Sequence, residues 1–218
     1  TELVFALIVF VGSHLVLSAP FIRSRLLNLL SRVGFLVLYS LISLMTFGWV
    51  LHAYPHALAE TEVLWHAPRG FGDSSVLVMP IAFLLVVLGL LTPNPTTAMM
   101  GGRLNKEDAT QGIVRITRHP MLSGIVLWGL WHIITSGHSA AVLLFSAMVI
   151  LSVLGMVGID AKRAKNYGPA WEDFRSVTSC VPFWAIIRGR NSFRFGEIGL
   201  MRVLLALVIF AVVLYVHQ

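Results

Sequence analysis

The chain has 218 residues, of which 57% are hydrophobic and only 12% charged, and its mean hydropathy is +0.83. These values exclude an ordinary soluble domain and describe an integral membrane protein whose first partner is the lipid bilayer. A single cysteine, Cys180, excludes an intrachain disulfide framework and argues against a Cys-based zinc or iron–sulfur site, so a cofactor would fall mainly to the eight histidines. The formal charge of +6 comes from basic residues set between apolar runs, which membrane topology explains better than nucleic acid does, and no nucleic-acid partner is expected.

Apolar runs long enough to cross about 30 Å of hydrocarbon predict an all-α membrane bundle of about six helices. The runs are approximately Glu2 to Ala19, Val33 to Tyr54, Ser75 to Leu91, Pro120 to Thr135, Ser139 to Ile159, and Gly199 to His217. The first begins Thr1-Glu2 without a basic n-region and ends in a poor cleavage site, Ser18-Ala19-Pro20, so a permanent helix is expected. The whole of 1–218 reads as one membrane domain, with residues 160–198 too polar at first and too Pro-broken to span. That segment is expected as an interfacial helix and a surface or re-entrant loop on the cytoplasmic side.

Charge alternates between the runs. Arg23, Arg25 and Arg32 follow the first, Arg103, Lys106, Arg115 and Arg118 precede the fourth, and a long basic stretch from Lys162 to Arg194 precedes the last. The link between the second and third carries only Arg69 against Glu60, Glu62 and Asp73. By the positive-inside rule both termini then lie outside the cytoplasm.

His14 sits within the first apolar run, where an imidazole is costly and by default marks a functional site; the plainer alternative is a neutral ring bonded to a serine such as Ser13, Ser18, Ser40 or Ser43. Arg118-His119-Pro120 opens the fourth run. Proline belongs in a first helical turn and disfavours helix before it, which puts His119 at the helix mouth beside Arg115 and Arg118. The plain alternative is a basic flank holding the helix end at the headgroups. His14 lies about 10 Å from the cytoplasmic end of its helix, a depth His119 can share, whereas His132 lies roughly 20 Å further along from His119. Two imidazoles at one level with arginines at the rim suit a haem. The iron takes axial nitrogens from His14 and His119, and the propionates want Arg115 and Arg118. With no CxxCH site the haem is b-type and non-covalent. TPNPT at Thr92 to Thr96 reads as a stop after the third helix, and the tryptophans mostly as an interfacial belt.

The combination GSHLVLS (Gly12 to Ser18), TPNPT, GIVRITRHPMLSGIVLWGLWH (Gly112 to His132) and TSCVPFWAIIRGRN (Thr178 to Asn191) resembles the NnrU family of bacterial membrane proteins over nearly the whole chain. The resemblance implies a bacterial inner-membrane protein associated with nitrite and nitric oxide metabolism, that is, denitrification. NnrU proteins are similar to the 15-cis-zeta-carotene isomerases, membrane enzymes with a haem b held by two histidines, which fall on His14 and His119 here. Those isomerases carry a cysteine shortly before the RHP histidine, where this chain has Ile116. A more distant likeness, RHP followed by a basic helix with Tyr167-Gly168, is to the isoprenylcysteine carboxyl methyltransferases, where this region binds S-adenosylmethionine; their Glu pair is replaced by Asp160-Ala161-Lys162.

Three functions follow as expectations. The first is a haem b protein of the NnrU type, acting as sensor, electron carrier or haem-handling module. The second is a haem-dependent cis-trans isomerase of a polyene, with a hydrophobic small molecule as its partner. The third is a membrane methyltransferase. The sequence leaves open which of these is catalytic, and it leaves the oligomeric state open.

Overall fold

The computed structural model describes residues 2–67, 69–98, 100–105 and 107–217, without the side chains of Gly72, Asp73, Asn105, Glu107 and His217. Lys106 of the basic loop and the side chains of Asp73 and His217 therefore lie outside the described residues. Among those described the protein is helical, with one isolated β-bridge between Val63 and His138. The helices are α1 (Glu2–Ser18), α2 (Pro20–Leu29), α3 (Arg32–Ala59), α4 (Phe71–Leu91), α5 (Pro120–Ser136), α6 (Ser139–Tyr167), α7 (Pro169–Val177), α8 (Trp184–Ile187) and α9 (Leu200–His217).

Each of the six apolar runs is a helix. Three, Arg32–Ala59, Ser74–Leu91 and Ser139–Tyr167, are long and apolar enough to cross a membrane alone. A fourth candidate joins α1 and α2 across a bend of 71°, and α5 and α9 are shorter apolar helices. Large apolar side chains lie open along these helices, among them Phe5, Ile8, Leu44, Val76 and Met201, a surface compatible with contact to a lipid bilayer. Pro55 and Pro80 sit inside α3 and α4, as membrane helices tolerate.

The chain divides into two compact units. The first comprises Thr1–Ala67 and His132–Ala147. In it α1 lies along α3: Leu3, Ala6, Leu7 and Phe10 are buried on one side, Phe35, Val50 and Ala53 on the other, and the Phe10 and Phe47 rings are 5.5 Å apart. Ser31 caps α3 by accepting the Gly34 N–H at 3.0 Å. The link after α3 is tied to the start of α6 by Ser139 N–H donating to the Glu62 carbonyl and by a 2.9 Å bond between the Thr61 and Ser139 hydroxyls.

The second unit comprises Pro68–Trp131 and Met148–Gln218. Here α4 meets the first half of α5 through glycines: a Cβ on Gly89 would lie 2.5 Å from the Met121 nitrogen, and one on Gly124 would lie 2.6 Å from the Ala82 carbonyl oxygen. Backbones this close need the absent side chain. Leu85 and Leu88 of α4 join Ile113, Val114, Trp171, Phe174 and Ile198 in a core that holds short 3-10 turns and α7 against that helix. Trp171 is fully buried in that core and forms no part of an interfacial belt. The charged end of α6, Asp160 to Tyr167, continues the helix that begins at Ser139.

A buried His–Asp–Arg–Cys cluster as candidate site

Pro120 opens α5, so the residues before it leave the helix, and their polar groups must find partners elsewhere. Segment 116–118 is laid against 179–183: Arg118 N–H donates to the Ser179 carbonyl at 2.9 Å, Phe183 N–H to the Ile116 carbonyl at 2.8 Å, and the Thr117 hydroxyl to the Cys180 carbonyl at 2.9 Å. The Arg118 carbonyl accepts from Asn94 Nδ2 at 3.0 Å and Thr96 Oγ1 at 2.7 Å. TPNPT is therefore more than a stop. Its buried Asn94 and Thr96 clamp the backbone that presents His119.

His119 is 2% exposed, and its Nε2 lies 2.7 Å from Asp160 Oδ1 on α6. Arg118, itself buried, donates through Nε and Nη2 to the other oxygen, Oδ2, at 3.0 and 2.6 Å. The Cys180 thiol donates to the same Oδ2 at 3.4 Å. Ligand atoms of His119, Asp160 and Cys180 all lie within 4.8 Å of one another. Burial pushes the Cys180 thiol up to about 11; Arg118 opposes that rise and Asp160 adds to it. The cysteine is thus a neutral donor at neutral pH. Cys180 and Asp160 lie 61 and 41 positions from His119 in the sequence, and the fold brings both to it.

Arg115 belongs to a neighbouring latch. Its Nε and Nη2 bond the two oxygens of Glu197 at 2.7 and 2.9 Å, and its Nη1 bonds Asn191 Oδ1 at 2.6 Å. Gly112 N–H adds a bond to Glu197 at 3.0 Å. The Arg115 guanidinium holds the Glu197 carboxyl down at about 2. Both arginines expected at haem propionates are paired with carboxylates of the chain itself.

His14 lies in the first unit and His119 in the second, each with its own surroundings. His14 Nδ1 is 2.7 Å from the Phe10 carbonyl one turn back, so the partner is backbone and not a serine. The ring packs against Phe10 at 4.5 Å and edge-on to Tyr39 at 5.4 Å. Fixing the proton on Nδ1 leaves Nε2 as the nitrogen for a ligand. His132 stacks on Phe145 at 4.4 Å.

The fold and the site together describe a helical membrane protein with a buried His–Asp–Arg–Cys cluster at the mouth of its RHP helix. The family described as NnrU protein matches residues 2–218, and the chain belongs to the NnrU family. Over 80 residues it is 40% identical to the chloroplastic 15-cis-zeta-carotene isomerase of Zea mays and 37% identical to that of Arabidopsis thaliana. Each match covers 37% of this chain and 22% of the relative, so the chain aligns with about a fifth of those proteins' length. No solved structure matches.

Proposed function

We propose that this NnrU protein is a haem b membrane protein that acts as a cis-trans isomerase on an apolar polyene of the zeta-carotene type. The observation that carries the reading is His119, a buried imidazole with one nitrogen held by a carboxylate, as metal-ligating rings are commonly oriented and made more basic. The likeness to the isomerases supports it. The donor set suits iron in a macrocycle better than a bare divalent ion, because Arg118 already places a positive charge on Asp160 and would oppose a cation there. His14 and His119 would hold the haem iron, and Arg115 and Arg118 would meet its propionates in exchange for their present carboxylates.

When bound, haem iron supplies a redox-active centre able to lower the order of a conjugated double bond so that it can rotate. The chain's own residues do the rest. The Asp160 carboxylate accepts a hydrogen bond from His119 Nε2–H and fixes the ring, which would leave Nδ1 as the nitrogen to hold iron. Arg118 holds Asp160 in place from the opposite side, and the Cys180 thiol caps the same oxygen. Apolar faces of the helices admit a lipid-soluble substrate and keep water out. The loop charges support both termini outside the cytoplasm, which a reporter fused after His217 tests.

The deciding experiment is an optical spectrum of the full-length protein, oxidised and reduced, followed by incubation with 15-cis-zeta-carotene. A Soret band and loss of the 15-cis isomer are expected. His14→Ala and His119→Ala each alter the spectrum, and His132→Ala leaves it unchanged. A band without turnover would turn the reading to a sensor or electron carrier of nitric oxide metabolism. Folded protein without a band, despite ample haem, overturns the haem reading.

A further inference from the structure

The turn between α7 and α8 holds a second feature, which shares Arg118 and Cys180 with the His119 cluster and adds two further arginines. Arg118, Arg175 and Arg190 line one cavity of about 250 Å³ together with Thr178, Cys180 and Trp184. Their charges are unevenly answered. Arg118 is matched by Asp160. Arg190 Nη1 is held by the carbonyls of Ser176 at 2.7 Å and Thr178 at 3.4 Å, which orient the guanidinium without neutralising it. Arg175 meets Glu172 at 3.4 Å in an exposed i,i+3 pair, a contact that does little to cancel its charge. The cavity therefore carries an excess of guanidinium groups, whose forked donors fit phosphate oxygens.

The rim is apolar. Phe183 has φ 64, the single non-glycine residue with positive φ among those described, and its N–H is pinned to the Ile116 carbonyl. That strained backbone opens α8, and the side chains about it are exposed: Val181 62%, Trp184 42% and Ile187 71%. Trp184 and Ile187 lie one turn apart on α8 and so share a face. Arg188 stacks over the Trp184 ring at 4.5 Å. Aromatic and aliphatic groups next to a cationic hollow match the two ends of an amphiphile at the headgroup level.

We propose that this cavity binds the phosphate of an anionic lipid headgroup, with acyl chains passing over Val181, Trp184 and Ile187. The site shares Arg118 with the haem reading, but Arg175 and Arg190, whose charges are left uncancelled, belong to no contact of that reading, so their variants test the lipid site whether or not haem binds. Free phosphate shares the head chemistry, and the apolar rim favours the lipid. The test uses the full-length protein in phosphatidylcholine nanodiscs carrying spin-labelled phosphatidylglycerol or spin-labelled phosphatidylcholine, with the immobilised fraction as the readout. Wild type is expected to prefer phosphatidylglycerol, Arg175→Gln and Arg190→Gln to lose about fivefold of that preference each, and the double variant about twentyfold. Arg25→Gln, outside the cavity, should retain it. Equal retention of both lipids by wild type, or equal loss in Arg25→Gln, overturns the site in favour of none or of diffuse surface charge. Displacement of the labelled lipid by inorganic phosphate as effectively as by unlabelled phosphatidylglycerol overturns the lipid assignment for a soluble anion. If the double variant fails to keep wild-type helicity, the two single variants decide the outcome.

Discussion

Asp160 Oδ1 lies 2.7 Å from His119 Nε2, joining residues 41 positions apart, while the other oxygen of the same carboxylate takes Arg118 at 2.6 Å. One acid on α6 thus fixes two neighbouring side chains at the mouth of α5. Asp160→Asn leaves the Arg118 charge buried without a counter-ion, and a loss of about 3–5 kcal/mol is expected. Thermal unfolding in mild detergent, followed by circular dichroism, measures it. Replacing both members in Arg118→Met with Asp160→Leu should recover much of the loss, since no lone charge remains. A double variant no better than Asp160→Asn would show that hydrogen bonding and not charge holds the cluster.

Cys180 should react slowly. With its thiol pushed up to about 11 from an ordinary 9.0, alkylation by iodoacetamide at neutral pH is expected to run about a hundredfold slower than at an exposed thiol. The rate should climb with pH until near 11. Asp160→Asn removes a negative charge that raises this thiol and leaves the Arg118 charge that lowers it, so the variant should react faster at pH 8. A slower variant would contradict the geometry.

The Arg115–Glu197 latch should confer acid sensitivity. A carboxyl held at about 2 when folded, against an ordinary 4.5, binds fewer protons folded than unfolded between those values. Its stabilisation is full above about 4.5 and is lost as pH falls through about 2. Glu197→Gln should be less stable near neutrality by about 1–3 kcal/mol, and the gap from wild type should close in acid. Unfolding midpoints of both proteins across that range give the comparison, and a gap independent of pH would refute it.

The glycine contacts between α4 and α5 give a steric prediction. A methyl at Gly124 would stand 2.6 Å from the Ala82 carbonyl and one at Gly89 2.5 Å from the Met121 nitrogen, both rigid backbone atoms. Gly124→Ala and Gly89→Ala should each lower thermal stability by about 1–3 kcal/mol. Gly158→Ala, with nothing within 4 Å of the added methyl, is the matched control and should be neutral or slightly stabilising.

The helices were legible because span length and apolar content are properties of contiguous sequence. Each of the six apolar runs forms a helix, and the boundary before Pro120 follows from proline's own geometry. The partners of His119 were less so, because they come from long-range contacts. The rule that made His14 conspicuous, that an ionisable group in an apolar helix is costly, applies equally to Asp160 behind VLGMVGI, and was the available signal for it. Cys180 offered none, since a lone thiol in a Pro-broken loop carries no periodicity. Asn94 resembled turn chemistry because Asn beside proline usually is; only the folded chain shows its amide on the Arg118 carbonyl.

The pairing of segment 116–118 with 179–183 also fixes an order of events during synthesis. Arg118 leaves the ribosome 42 residues ahead of Asp160 and 60 ahead of Thr178, so its guanidinium is made long before its acceptors exist. Until then the start of α5 has to remain hydrated or among headgroups, and it settles only when the later segment arrives. A nascent chain halted before residue 160 has no Asp160 carboxylate to pair with the Arg118 guanidinium, and one halted before residue 178 still lacks the Thr178 carbonyl.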